Sequence, residues 1–424
     1  MKQASSPNIY NNTTNLGNIT RNVSAHNPSQ AVQEAVSQVV GAVKSSDKPS
    51  WEVSAKEAEA QRRLRLFRWA LHAEARHWLP QERVAECMYV VNPLAMGVEV
   101  LHTPRQQAAH YKSLFVCGSV WMCPLCAAKI SERRRSEELE PAIKRHIEGG
   151  GAVYLETYTV SHSRFDNLAV LLRLFLEARR RMRQGRQAQK RKWAFGIIGT
   201  ISVLEVTWSP LNAWHPHKHE LVFTTNRAGN MSVKTYAAQA RAEWQRAAAQ
   251  QGLHMDEHGY KLDRTYGAVA DYIAKYGREP LKLPWGVEAE LTKGHLKQGR
   301  GPVEHLTPFG LLAHIYQGDE ELAPLFQAYA RWFKGHKQLS WSKGLRKRLL
   351  GSEQERTDEE LAQEQKEDAV LLGRLTRAQW RVVLANDARG ELLEVARSGD
   401  WEQVVAFLLT LGVDWAKEQE SVMA

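Results

Sequence analysis

The sequence predicts an α+β protein whose middle third has the ferredoxin-like, or split β-α-β, order of elements. Apolar patterns with periods of 2 and 3.6 residues follow one another there in the order β-α-β-β-α-β. Turn residues separate the two longest strand-like runs, and the flanking segments carry apolar residues at helical spacing. The predicted elements are strands 152–160, 197–208, 214–224 and 260–265 and helices 165–183 and 233–250.

Helices are also predicted on both sides of this segment. Residues 51–79 carry apolar side chains at helical spacing, and helices are predicted over 311–332, 358–372, 377–397 and 401–417. The first 48 residues are rich in Asn, Ser and Thr, which predicts a disordered tail. The expected organisation is a tail at 1–48, a helical lobe at 49–150, an α+β domain at 151–310 and a helical C-terminal region at 311–424.

Three histidines at alternate positions are the most informative feature of the chain. His215, His217 and His219 precede an apolar run, and in a β-strand their imidazoles would share one face. Imidazole is the commonest protein ligand for metals. The spacing alone is equally compatible with a solvated basic strand edge or with histidines hydrogen-bonded in a core.

Glu205 adds a carboxylate to the same predicted hairpin. Turn residues 209–213 join its strand to the histidine strand, and counting outward from the turn places Glu205 roughly opposite residues 217–219. One carboxylate with two or three imidazoles would suit Mg²⁺, Mn²⁺ or another first-row divalent ion. An exposed strand acid is the alternative. Lys218 and Glu220 would face the other way, toward solvent.

Two tyrosines follow in segment 267–276, which is predicted to be helical. Tyr272 and Tyr276 would lie one turn apart on the same face, with Lys275 one turn from Tyr272. A phenol has a pKa near 10 and is a poor nucleophile at neutral pH unless a cation or metal activates it. Tyrosines at this spacing are also common packing residues.

Four cysteines suggest a second metal site. Their number in 424 residues and the lack of a signal peptide indicate a reducing, cytoplasmic setting. Cys117, Cys123 and Cys126 have the spacing of a zinc knuckle, which predicts a structural Zn²⁺. Buried free cysteines are the alternative. Candidates for the fourth ligand are Cys87, the working choice, and His110 and His102.

Together these motifs resemble the HUH endonucleases, and among them the rolling-circle plasmid replication initiators with a cysteine motif before the nuclease domain. The resemblance covers roughly residues 110–312. It rests on Cys117 to Cys126 with Arg133, Arg134 and Arg135, on residues 156–160, on Glu205 with the histidine strand, and on the tyrosine segment with residues 290–295 and 307–309.

The resemblance implies a mechanism. Two histidines, matching His217 and His219, and an acidic residue, matching Glu205, bind a divalent metal that polarises a scissile phosphate in single-stranded DNA. A tyrosine attacks, leaving a 5′-phosphotyrosine and a 3′-hydroxyl for polymerase. His215 is an extra histidine of uncertain role. Lys218 departs from the family, which normally has a hydrophobic residue between the motif histidines.

The tyrosine pair also departs from part of the family. Some initiators carry a glutamate four residues before the tyrosine, and this chain has Tyr272 four residues before Tyr276. The Tyr-x₃-Tyr pattern is similar to the gene A proteins of small single-stranded DNA phages, which use both tyrosines in turn. We expect Tyr272, with its partner Lys275, to attack first.

Expected partners are DNA, at a plasmid double-strand origin, and a host helicase and polymerase, because the sequence has no phosphate-binding loop of an ATP-driven helicase. A net charge of +10 suits DNA, although a ribosomal or membrane-surface protein could share it. The sequence has no run of eighteen apolar residues, so no membrane-spanning helix is predicted. The rivals are an HUH transposase, a relaxase with His215 as third ligand, and a zinc-containing DNA-binding regulator without catalysis.

Overall fold

The computed structural model describes residues 55–225, 231–264, 305–363 and 368–413. The tail at 1–48 and the segment with Tyr272, Lys275 and Tyr276 lie outside the described residues. The described chain is α+β, with two antiparallel sheets. The strands are β1 (Val98–Thr103), β2 (Ala108–Lys112), β3 (Ala152–Tyr158), β4 (Ile197–Ser209), β5 (Ala213–Thr224), β6 (Tyr260–Arg264), β7 (Leu339–Trp341) and β8 (Val370–Leu375).

Helices surround both sheets. In chain order they are α1 (Ala55–Trp78), α2 (Pro124–Arg133), α3 (Glu140–Glu148), α4 (Leu168–Met182), α5 (Gly185–Ala194), α6 (Val233–Ala249), α7 (Pro308–Tyr316), α8 (Ala323–Phe333), α9 (Leu345–Leu350), α10 (Asp358–Gln363), α11 (Arg377–Ala385), α12 (Arg389–Ala396) and α13 (Trp401–Thr410). Side-chain caps fix several starts. Asn167 accepts hydrogen bonds from the first turn of α4, and Ser232 does the same for α6.

The larger sheet has the strand order β6-β3-β5-β4-β7, with all neighbours antiparallel. Its first four strands and helices α4 and α6 follow the predicted order β-α-β-β-α-β, with α5 added before β4. The long β4–β5 hairpin turns where Ala213 adopts a positive φ of 56°. This hairpin forms the middle of the sheet and carries the histidines.

The two faces of the larger sheet are covered differently. Helices α4 and α6 cover one face, where Phe175 and Trp244 are fully buried against each other. On the other face, α3 and α9 cover the end that carries Phe223, through Ile143 and Leu345. Near the β4–β5 turn, the same face carries polar side chains where the apolar core ends. This position explains why the histidines are only partly buried.

The smaller sheet joins distant parts of the chain. Its order is β2-β1-β8, so a strand from the C-terminal region pairs with a strand from the N-terminal lobe. Helices α11 to α13 pack on it around a separate apolar core that includes Val100, Leu375 and Trp380. The segments predicted to be purely helical therefore also contain strands.

Three predicted C-terminal helices differ from the structure. The prediction of helix at 370–372 is wrong because those residues form β8 and pair with β1, and Gly373 packs beneath the Trp401 ring. Predicted helix 311–332 is two helices, separated after Tyr316 by Gly318 at φ 112°. Predicted helix 377–397 is interrupted where Asp387 has a φ of 46°.

Candidate metal centres

Glu205, His217 and His219 converge on one face of the larger sheet. Glu205 on β4 is the direct partner of His217 on β5. Its Oε2 lies 2.9 Å from His217 Nε2 and 3.5 Å from His219 Nε2. Donor atoms of the three residues lie within 4.8 Å of one another. The hairpin register alone creates this arrangement, because antiparallel partners point to the same side of a sheet.

Hydrogen bonds to the other ring nitrogens orient both imidazoles. His217 Nδ1 lies 3.2 Å from the His215 carbonyl oxygen, which can only accept, so Nδ1 carries the proton. His219 Nδ1 lies 3.0 Å from Thr157 Oγ1. Both rings direct Nε2 at the Glu205 carboxylate, so a proton on Nε2 can be donated to that carboxylate, and a cation that replaces the proton would be bound by the Nε2 lone pair. A divalent cation between these atoms fits such a donor set.

The carboxylate of this cluster is ionised. Burial alone would raise the pKa of Glu205, but hydrogen bonds from His217 and His219 hold that pKa well below its usual range. An ionised carboxylate beside two imidazoles offers one negative charge and three donor atoms to a cation. The remaining coordination positions of a Mg²⁺ or Mn²⁺ would belong to water or to phosphate oxygens.

His215 lies outside this three-residue cluster. Its Nε2 is 2.6 Å from Thr159 Oγ1, and its ring lies 4.5 Å from that of His162. Burial lowers the pKa of His215 to about 3, so the ring is neutral near pH 7. Thr157, Thr159 and His162 are contacts of these histidines that the sequence expectations do not include. The Thr-x-Thr spacing, which places both hydroxyls on one strand face, was the available signal.

The opposite face of β5 is buried, so the expectation of a solvated face is wrong. Glu220 is fully buried, and Arg179 of α4 donates two hydrogen bonds to it, of 3.1 and 2.5 Å. Burial lowers the pKa of the neighbouring Lys218 to about 8. The physical reason is that α4 lies across this face and supplies the cation that compensates the buried carboxylate.

A second buried carboxylate ties the same face together. Glu156 on β3 accepts hydrogen bonds of 2.7, 2.8 and 2.9 Å from the hydroxyls of Tyr158, Tyr236 and Tyr260. Burial raises the pKa of all three phenols, so they stay protonated and act as donors. These tyrosines join β3, α6 and β6 through one carboxylate on the face opposite the histidines.

All four cysteines meet in one buried cluster. Cys126 Sγ lies 3.6 Å from both Cys87 Sγ and Cys117 Sγ, and Cys123 Sγ lies 3.8 Å from Cys87 Sγ. Tetrahedral zinc with bonds of about 2.3 Å separates its sulfurs by roughly 3.8 Å. The cysteines are not disulfide-bonded, and His102 and His110 are not part of the cluster.

The surroundings of the sulfurs also fit a metal. Backbone amides of Cys117, Ser119 and Cys126 each donate to a cysteine sulfur at 3.4 Å. Hydrogen bonds from neighbouring thiols, led by Cys117, lower the pKa of Cys126, whereas burial raises that of Cys123. Several buried thiolates at these distances would repel one another, and a bound Zn²⁺ removes that repulsion.

The arginines that follow the cysteine knuckle are buried or form ion pairs within the protein. Arg133 is buried, Arg134 pairs with Asp358, and Arg135 pairs with Glu132 and, at 2.6 Å, with Glu140. These arginines fasten the cysteine cluster to α10 and α3.

Among the helices that the structure describes, none is long and apolar enough to cross a membrane.

Comparison with known proteins gives two curated relatives. No protein-family model and no solved structure matches the chain. The chain is 29% identical over 303 residues to "Protein rep" of Streptomyces lividans, covering 56% of this chain and 64% of that protein. It is 31% identical over 144 residues to "Neomycin resistance protein" of Streptomyces cyanogenus, covering 28% of this chain and 33% of that protein. The chain thus spans less than two thirds of each relative, and its more extensive similarity is to a Rep protein.

Proposed function

We propose that this protein initiates rolling-circle replication of a plasmid by metal-dependent nicking and rejoining of single-stranded origin DNA. The observation that carries the proposal is the convergence of Glu205, His217 and His219 on a central hairpin. The similarity to "Protein rep" supports a role in replication. The shorter similarity to a resistance protein covers 28% of the chain and carries no functional argument.

The fold supports an HUH nuclease assignment. The strand order β6-β3-β5-β4 and the helices α4 and α6 on one face match a ferredoxin-like arrangement. Because this fold has many functions, the argument depends on the histidines, which lie on the face that α4 and α6 leave uncovered. His217 and His219 through Nε2, with the Glu205 carboxylate, would hold the cation. Bound Mg²⁺ or Mn²⁺ would polarise the scissile phosphate and neutralise developing charge.

Tyr272 is the proposed first nucleophile. Its phenolic oxygen would form a bond to phosphorus while the bond to the 3′ oxygen breaks, which leaves a 5′-phosphotyrosine and a free 3′-hydroxyl. Lys275 would favour the phenolate by its positive charge. Tyr276 would then attack in the second transfer, which closes the replicated circle.

The cysteine cluster is proposed as a structural Zn²⁺ site. Cys87, Cys117, Cys123 and Cys126 complete four sulfur ligands, so no position remains for a reacting group. The zinc would fix the turn before α2 and, through Arg134 and Asp358, the approach of α10.

Nicking of a supercoiled plasmid that carries the parental origin tests this function. We expect relaxed circles with Mn²⁺ or Mg²⁺ and none with EDTA. His217→Ala and His219→Ala should abolish nicking but retain binding to duplex origin DNA. His215→Ala, the matched control, should stay metal-dependent and active because His215 lies outside the cluster.

Other results would separate the rivals. Normal nicking by the His217→Ala/His219→Ala double variant would remove the cluster from catalysis. Origin binding by the native protein without nicking would indicate a regulator. Loss of activity in His215→Ala as severe as in His219→Ala would favour three histidine ligands, as in relaxases.

A further inference from the structure

Most of the excess positive charge of the chain lies in one short segment. Residues 167–195, which contain α4 and α5, carry nine basic residues and one acidic residue, whereas the whole chain has a net charge of +10. Segments this basic often only improve solubility. The partners of each cation show how much of this charge is compensated within the fold.

Only part of the positive charge is compensated. Arg179 pairs with Glu220 and Arg191 pairs with Glu243, and both arginines are buried. Arg180 and Arg181 share the single carboxylate of Glu177, so this trio keeps one positive charge. Four further cations are exposed and make no ion pair with another described residue. They are Arg173, Arg186, Lys190 and Lys192.

Helix α5 is fixed from the inside and presents cations outside. Ala188 and Arg191 face the protein, and Phe195 after the helix stacks on Tyr236 with 4.0 Å between ring centroids. Arg186 and Lys190 lie four residues apart on the outer face, so their charges are neighbours on one side of the helix.

Trp193 continues this outer row, seven residues after Arg186, and is 81% exposed. Single exposed aromatic side chains are common, and Phe165 is 82% exposed, so the argument rests on the row of cations that Trp193 continues. The arginine cluster at Arg133 to Arg135, in contrast, is buried or ion-paired. The outer face of α4 and α5 is therefore the better candidate for a DNA contact.

We propose that the outer face of α4 and α5 docks duplex DNA on the side of the sheet opposite the nicking site, with Arg186 and Lys190 on phosphates and Trp193 at the edge of the contact. This proposal rests on the proposed function, because it supplies the duplex-binding surface that an origin nuclease needs. Duplex DNA has twice the axial charge density of a single strand, which suits a row of several cations on neighbouring helices. Single-strand sites instead combine a groove with several aromatic platforms.

The outer face of α4 and α5 lies apart from the cluster of Glu205, His217 and His219, as a docking surface distinct from the nicking site requires. Helix α5 leads directly into Ile197 at the start of β4, and Glu205 lies eight residues further along that strand. Eight residues of β-strand span about 26 Å. That distance corresponds to roughly eight base pairs of duplex. Because α4 covers the face opposite the histidines, duplex held there would not obstruct the cluster around Glu205.

Binding to a labelled 30-base-pair duplex of arbitrary sequence, measured by fluorescence anisotropy in EDTA, tests the proposal. Arg186→Gln/Lys190→Gln should weaken binding about tenfold at 0.1 M salt, and should reduce the slope of log K against log salt by about two. Trp193→Ala should cause a smaller loss. The matched control, Arg331→Gln/Arg381→Gln, removes two exposed arginines from α8 and α11 and should change binding less than twofold.

Binding of the same variants to two other ligands tests whether the surface has a different occupant. These ligands are a 30-base single strand and vesicles containing anionic phosphatidylglycerol. The proposal is overturned if the Arg186→Gln/Lys190→Gln variant binds duplex with the native slope, or if the control is equally impaired. It is also overturned if the loss is confined to single strands or to vesicles. Unchanged thermal unfolding of each variant would show that it is folded.

A separate activity measurement distinguishes this surface from the proposed nuclease. The Arg186→Gln/Lys190→Gln variant should nick a short single-stranded oligonucleotide from the parental origin at the native rate. If no nicking occurs even with the native protein, the proposed function fails while the duplex-binding result still decides the docking surface. If the variant binds duplex normally but does not nick, the docking proposal fails.

Discussion

Thr157 on β3 is the direct partner of His219 on β5, and its hydroxyl oxygen lies 3.0 Å from His219 Nδ1. A proton on Nδ1 would donate to this oxygen and leave the Nε2 lone pair directed at Glu205. In that tautomer, which a cation bound at Nε2 would favour, the hydroxyl of Thr157 accepts from Nδ1 and holds the ring in place. Partners of this kind commonly set the orientation and basicity of ligating histidines.

Thr157→Val should therefore weaken Mn²⁺ binding about ten- to a hundredfold. Valine keeps the shape of threonine and removes the acceptor, and Thr157→Ser should restore most of the affinity. Isothermal titration with Mn²⁺ measures the effect. Thr207→Val is the control, because Thr207 lies on the same sheet face but makes no hydrogen bond to a described imidazole. Equal affinities of Thr157→Val and the native protein would contradict the positioning role.

The cysteine cluster leads to a prediction about composition and stability. Purified protein should contain one zinc per chain by elemental analysis, and Cys123→Ser should lose it. Zinc binding contributes to the free energy of folding. Loss of the metal should therefore lower the free energy of unfolding by several kcal/mol, on the order of a quarter or more of the binding free energy of a structural Zn²⁺. If the native protein contains no zinc, or if removal of its zinc leaves the free energy of unfolding unchanged, the cysteine cluster is not a structural metal site.

The buried pair of Arg179 and Glu220 leads to a prediction about pH. Burial alone would raise the pKa of Glu220, but Arg179 holds it at about 2. A carboxyl group with a lowered pKa stabilises the fold fully above its unfolded pKa of about 4.3, and that contribution is lost as pH falls toward 2. Glu220→Gln should therefore destabilise the protein by about 3–5 kcal/mol near pH 7. The difference from the native protein should narrow between pH 4.3 and 2.

Urea unfolding followed by circular dichroism at pH 7, 4 and 2.5 measures this dependence. Glu177→Gln is the matched control, because Arg180 and Arg181 also lower the pKa of Glu177 to about 2, but in an exposed position. Solvent screens that interaction, so its loss should matter far less. A difference between Glu220→Gln and native protein that stays constant with pH would contradict the account.

The histidine hairpin shows what the sequence could predict. Alternation fixes which residues share a face, and a short turn fixes the register, so the approach of Glu205 to His217 follows from local pattern alone. The burial of Glu220 does not follow, because its compensating Arg179 comes from a helix 41 residues away. A strand with polar residues on both faces therefore predicts one solvated face, which is wrong for β5.

Contacts between residues far apart in the sequence could not be predicted either. The role of Thr157 depends on the pairing of β3 with β5, which joins residues 62 positions apart. Strand β8 pairs with β1 across more than 260 residues, and its sequence Val-Leu-Leu-Gly-Arg-Leu has no strict alternation to separate it from a helix. Cys87 lies 30 residues before Cys117, so spacing alone could not choose it over His102 or His110.

Trapping and mapping the covalent protein–DNA adduct tests the proposed nicking reaction directly. The native protein is incubated with a labelled single-stranded origin oligonucleotide and Mn²⁺, and the adduct is digested for peptide mass spectrometry. We expect an adduct on Tyr272 that does not form in EDTA, in His217→Ala/His219→Ala or in Tyr272→Phe, but that still forms in Tyr276→Phe. An adduct on Tyr276 alone with Tyr272→Phe fully active would reverse the tyrosine assignment. An adduct formed equally well by the double histidine variant would contradict the proposed metal centre.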